Sequence, residues 1–155
     1  MSLGGGGRGG QMEQLTQQLQ ALQQEQEAME AEVEALTRRK AEVDEAQEAV
    51  QTLETGDTVQ VPLGGGAYVR AEIEDIDEVI VELGGDYAAE QDQEGAVERL
   101  DSRKDTLDDR IEEVRSEIAQ VEGELDQLRD QARQMQQQQV QQQMQQIQQQ
   151  EGDEE

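Results

Sequence analysis

Residues 57–92 read DTVQVPLGGGAYVRAEIEDIDEVIVELGGDYAAEQD, and this block decides the fold. Thr58-Val59-Gln60-Val61 is a short strand, and the turn formers Pro62 to Gly66 follow it. Ala67, Val69, Ala71 and Ile73 then alternate with Tyr68, Arg70, Glu72 and Glu74, the period-2 pattern of a half-buried strand. Asp75-Ile76-Asp77 reads as a tight turn, and Glu78 to Leu83 as a third strand with Val79, Val81 and Leu83 on one face. Gly84-Gly85-Asp86 turns the chain into a last strand, Tyr87 to Gln91. The block therefore predicts two hairpins, which alone are marginal in water and leave open edges. Closure with the same region of other subunits is the economical solution. Val59, Val61, Val69, Ile73, Val79, Val81 and Leu83 are the candidate assembly residues.

On either side the period changes to seven. Over 12–54, Met12, Leu19, Gln26, Val33, Lys40 and Gln47 take the a positions. Leu15, Leu22, Met29, Leu36, Val43 and Val50 take the d positions, all apolar. No Gly or Pro interrupts, and Gln, Glu and Ala between them tolerate helix. Six heptads argue for a coiled-coil helix ~60 Å long. Over 96–150 the pattern returns, with Val97, Lys104, Ile111, Ile118, Leu125 and Ala132 at a and Leu100, Leu107, Val114, Val121, Leu128 and Met135 at d. An antiparallel register follows in which Met12 faces Met135, Leu22 faces Leu125, Met29 faces Ile118, Leu36 faces Ile111 and Val50 faces Val97. The expected fold is α+β: a long antiparallel two-helix coiled coil with a central pair of β-hairpins that assembles with the same region of other subunits.

Lys40 and Lys104, the only two lysines, both fall at a positions. Either their long stems simply suit that layer of the seam, or their charges pin the register. Past Met135 the heptad slips, and Val140, Met144 and Ile147 recur at i, i+4 and i+7 in a Gln-rich tract. With Met12, Leu15 and Met135 they make a candidate binding tip, since flexible Met recurs on surfaces with many partners. The competing reading is that Met simply fills a fraying seam, or that the Gln-rich tail is disordered. Residues 1–11 read as a flexible Gly-rich arm and 151–155 as an acidic tail.

Composition narrows the function. Asp and Glu number 38 against 12 Lys and Arg, a net charge of −26, which repels nucleic acid and anionic membranes. This acidity, with ten Arg but two Lys, resembles the surfaces of proteins from salt-accumulating archaea. There is no Phe or Trp to build an ordinary core, and no His or Cys. An acid–base or thiol site then has neither its usual groups nor a dry cavity, so an enzyme is rejected. No cofactor or metal is expected. Leu63-Gly64-Gly65-Gly66 lacks the Lys-Ser/Thr of a P-loop. Asp75, Asp77 and Glu78 lack the Gly and distant Glu of a calcium loop, and Asp105, Asp108 and Asp109 read as a solvated flank. No apolar span or leader is visible, which makes the cytoplasm the expected location.

Val61-Pro62-Leu63-Gly64-Gly65-Gly66-Ala67-Tyr68-Val69 and Val81-Glu82-Leu83-Gly84-Gly85-Asp86-Tyr87-Ala88-Ala89-Glu90 resemble the hairpin region of the archaeal prefoldin α-subunit family, and the flanking helices agree. The resemblance covers about residues 12–135. It implies a heterohexamer with prefoldin β subunits, two α and four β, whose hairpins assemble into an intersubunit β-barrel, a double one. It implies an ATP-independent chaperone, a holdase, that grips unfolded proteins at coiled-coil tips and delivers them to a group II chaperonin. The polyacidic surface and the Gln-rich extension depart from the family pattern. The other reading is a structural coiled-coil scaffold that only oligomerises.

Overall fold

The computed structural model describes residues 6–153, in the order α1 (Gly6–Thr52), β1 (Thr58–Gly64), β2 (Ala67–Glu72), β3 (Val79–Gly84), β4 (Tyr87–Gln91) and α2 (Gln93–Asp153). The start of the expected arm and the last residues of the acidic tail lie outside the described residues. Two compact units divide the chain, one of Met1–Glu32 with Val114–Glu155 and one of Val33–Glu113.

In the first unit, parts of α1 and α2 run antiparallel. Gln26 donates to a Glu122 carboxylate oxygen at 3.1 Å, and Leu22 shares a cleft with Glu124 and Leu128. Met29, Val114, Val121 and Leu125 are buried, and every other a and d position from Met12 to Gln26 and from Ile118 to Met135 is half-buried. The seven-residue period thus marks which residues leave water. From Gln136 to Gly152 every residue is exposed.

In the second unit the helices are again antiparallel and carry both hairpins. Leu100 and Ile111 are buried along the seam. Gln47 at its a position donates to the Val97 carbonyl at 3.1 Å, and Gln93 donates to the Val50 carbonyl at 2.7 Å and the Leu53 carbonyl at 3.1 Å. The polar break at Gln47 is therefore satisfied by backbone near the helix end.

Each hairpin is its own two-stranded antiparallel sheet. The registers repeat: Val61↔Val69, Pro62↔Tyr68 and Gly64↔Ala67 in the first correspond to Val81↔Ala89, Glu82↔Ala88 and Gly84↔Tyr87 in the second. Both strands bulge at the leucine, between Pro62 and Gly64 and between Glu82 and Gly84. Gly64 and Gly84 follow the bulges at φ 96° and 111°, a region that a side chain enters only with strain.

Several boundaries differ from expectation. The first helix starts at Gly6, not residue 12, because a helix held by a packed seam propagates more easily than it nucleates. It ends at Thr52, short of 54, and Thr52 hydroxyl donates back to the Glu48 carbonyl. Pro62 lies inside β1 and not in the turn; β1 is an edge strand, where a missing N–H leaves no broken ladder. The second helix begins at Gln93, not 96, because Asp92 caps it: its carboxylate accepts from the Gly95 N–H at 2.7 Å, and its carbonyl from the Ala96 N–H at 2.9 Å. It runs on to Asp153, past the expected end at 150 and into the expected tail.

Candidate functional site

Two sets of surface side chains are candidates for contact with other molecules, one in each unit. In the second unit the hairpins differ in how they are held. Val81 of β3 is only 6% exposed, packed with Ala96 and Leu100 and flanked by Val43, Val50 and Val79. Arg103 donates its guanidinium to the Glu82 carbonyl and fastens the strand to α2. Val81, expected among the assembly residues, thus spends its apolar surface inside its own chain. Alternation gives the face a residue points to but not what covers that face. Val79 is half-buried in the same cluster.

The first hairpin has no such seat. Its base is tied by backbone, Gly56 N–H to the Ile73 carbonyl and Ile73 N–H to the Asp57 carbonyl, each at 2.8 Å. Val59 and Ile73 at that base are half-buried, but every residue from Gln60 to Arg70 is exposed. Val61, Leu63, Tyr68 and Val69 form its apolar surface, and Ile80, Leu83 and Tyr87 that of the second hairpin. Tyr68 and Tyr87, the only aromatic residues, are 62% and 78% exposed. Leu63, Tyr68, Ile80 and Tyr87 are absent from the assembly residues expected from sequence: Leu63 falls in the stretch read as a turn, Tyr68 and Ile80 alternate onto the opposite strand faces, and no face is assigned to the last strand. Large exposed apolar and aromatic side chains on a strongly charged chain make these residues candidates for a contact surface.

Below the hairpins the two lysines answer each other across the seam. Lys40 Nζ lies 2.6 Å from Asp108, and Lys104 Nζ lies 2.9 Å from Asp44 and 3.6 Å from Asp101. The hydrogen bond to Asp44 holds the Lys104 ammonium above its usual pKa against the opposing effect of burial, with the charges of Asp44 and Asp101 adding to it. Asp108 is therefore half of an ion pair, not merely part of a solvated flank.

The carboxylates of the inter-hairpin turn serve the backbone. Asp75 accepts from the Asp77 N–H at 3.0 Å, and Asp77 from the Gln93 N–H at 3.3 Å. Among the described residues no group of three metal-binding side chains converges, and no helix is long and apolar enough to cross a membrane.

In the first unit, Met12, Leu15 and Met135 are half-buried in the seam. Val140, Met144 and Ile147 stand 55%, 63% and 57% exposed on α2 beyond it. The expected tip residues are thus of two kinds, three in the end of the seam and three on open helix.

The prefoldin-subunit family model matches residues 11–150, spanning both helices and both hairpins. The chain belongs to the prefoldin family. It is 60% identical over 68 residues to the prefoldin subunit alpha of Haloarcula marismortui, covering 44% of each chain. To that of Natronomonas pharaonis it is 72% identical over 50 residues, covering 32% of this chain and 33% of the relative. To that of Methanosarcina mazei it is 44% identical over 64 residues, covering 41% and 42%. The matched stretch thus spans less than half the length of these curated relatives. The cryo-EM structure of filamentous PFD from Methanocaldococcus jannaschii shares the fold, with TM-score 0.63, 24% identity, and coverage of 77% of this chain and 98% of that one. The haloarchaeal relatives accord with the acidic, lysine-poor surface read from composition.

Proposed function

We propose that this chain is the α-type subunit of an ATP-independent holding chaperone, assembled through its hairpins and binding unfolded proteins at the far end of its helices. The observation that carries the reading is the open stripe of Val140, Met144 and Ile147 on a chain whose other large exposed apolar side chains, among the described residues, lie in the hairpins. Hairpin surface serves assembly: Val61, Leu63, Tyr68 and Val69 offer apolar area and open strand edges to partner subunits. The partner is a prefoldin β subunit, in a complex of two α and four β chains closed by a β-barrel. Clients pass from it to a group II chaperonin in the cytoplasm.

No catalytic residue is needed. Several weak apolar tips around one cavity hold an unfolded chain by avidity. Met12, Leu15 and Met135 join the stripe when the end of the seam loosens. The test dilutes a denatured protein into molar KCl without ATP, in the presence of this chain and its β-type partner. Aggregation should be suppressed at near-stoichiometric amounts, and removal of residues 136–155 should abolish protection while leaving the complex assembled. An assembled complex that suppresses nothing would make the chain a scaffold instead.

A further inference from the structure

The far end of α2 differs from the rest of the chain in charge as well as in apolarity. Residues 134–150 contain no Asp, Glu, Lys or Arg, in a protein of net charge −26. Residues 14–24 of α1, in the same unit, are also free of charge. Everything in 136–150 other than Val140, Met144 and Ile147 is Gln, and all of it is exposed. Continuing the heptad through Met135 at d puts Val140 and Ile147 at b and Met144 at f, on the outer flank of α2, while Gln139, Gln142, Gln146 and Gln149 follow at a and d. A longer α1 running along the same seam would therefore meet glutamines and leave the stripe open.

What could cover it is narrowed by chemistry. Three apolar residues in about two turns are too few to zip a second helix, which needs three or four heptads. The tract has no cation to attract lipid headgroups or nucleic acid. A basic polypeptide would find carboxylates along both helices outside these charge-free stretches and has no reason to choose this end. An acidic polypeptide is repelled along the charged helices and meets less repulsion here, where the nearest carboxylates are those that follow residue 150. Glutamine amides donate and accept, so they can bond the open N–H and C=O groups of an extended chain beside the apolar stripe.

We propose that residues 134–150 form a charge-free docking surface for acidic unfolded polypeptides, with Val140, Met144 and Ile147 supplying apolar contact and the flanking glutamines hydrogen bonds. The proposal rests on the holding-chaperone reading and names its substrate class. It is tested with the full-length chain assembled with its prefoldin partner subunits. The probe is a labelled, permanently unfolded acidic polypeptide and the same polypeptide with its carboxylates amidated. Binding is read by anisotropy in the lowest KCl that preserves the complex and again in 3 M KCl. Gln137→Glu, Gln141→Glu and Gln148→Glu together keep helix propensity and restore the repulsion. The acidic probe should then bind about threefold or more weakly at low salt, with the loss fading at 3 M, while the amidated probe changes less than about twofold. Equal weakening of both probes, or none, overturns the proposal while leaving the chaperone reading in place. A wild-type complex that binds neither probe overturns both. In a second variant, Val140→Ser, Met144→Ser and Ile147→Ser together should weaken both probes without changing the mass of the complex. A change of mass with unchanged binding would assign the stripe to a second copy of the chain and overturn the proposal.

Discussion

The two hairpins are the same device used twice, with matching registers, bulges and positive-φ glycines, yet only one of them is seated. The second lays Val81 on Ala96 and Leu100 and is fastened by Arg103. The first holds Val61 at the matching position with no helix under it, and the stretch from Gln60 to Arg70 is open to water. An isolated hairpin does not bury enough apolar area to be stable by itself. A β-hairpin in this chain therefore needs a surface to lie on: the second finds it in its own helices, and in the assembly we propose the first finds it in a partner subunit.

The largest effect should separate Val81 from Val61. Val81→Asp puts a carboxylate into an apolar cluster and should cost about 3 kcal/mol or more in the lone chain, read by denaturant unfolding. Val61→Asp in the same chain should stay within about 0.5 kcal/mol, because the site is already wet. In the assembled complex the comparison should sharpen. Val61→Asp should then release the chain from its partners on sizing, which its small effect alone would not foretell.

Next in size is the strap on the seated hairpin. Arg103→Met removes the guanidinium bond to the Glu82 carbonyl and should destabilise β3–β4 by about 1 kcal/mol, seen as faster amide exchange there and not in β1–β2. If both hairpins loosened together, the distinction between them would be lost.

The smallest effect belongs to the crossed lysine pairs, which lie below both hairpins and should not discriminate between them. Asp44 raises the Lys104 pKa, so the contribution of this pair is fully present below the usual lysine value of 10.5 and is lost as pH rises through the higher folded value. Thermal midpoint should fall slightly over that alkaline range in the wild type, and the additional fall should vanish in Lys104→Met. At molar salt the exposed Lys40–Asp108 pair should contribute almost nothing.

These differences mark what a sequence can and cannot carry. Seam residues such as Met29, Val114 and Leu125 were legible because a period of seven states directly which side chains face a neighbouring helix. The hairpin pattern was legible too, through alternation and its glycine turns. Pro62 misleads because proline is read as a turn former, although an edge strand accepts it. The Asp92 cap carried a signal, an Asp just ahead of a helical run, that the heptad count passed over. The seating of Val81 is written in no local pattern, since it depends on a tertiary neighbour beyond the strand. The open stripe at Val140, Met144 and Ile147 is visible as a break in phase, but phase alone does not name what binds there.

Hydrogen exchange on the lone chain and on the assembled complex tests the central claim most directly. Amides of β3–β4 should be protected in both, and those of β1–β2 should exchange rapidly in the lone chain and become protected on assembly. Equal protection of the two hairpins in the lone chain, or a first hairpin that stays unprotected in the complex, would contradict the account.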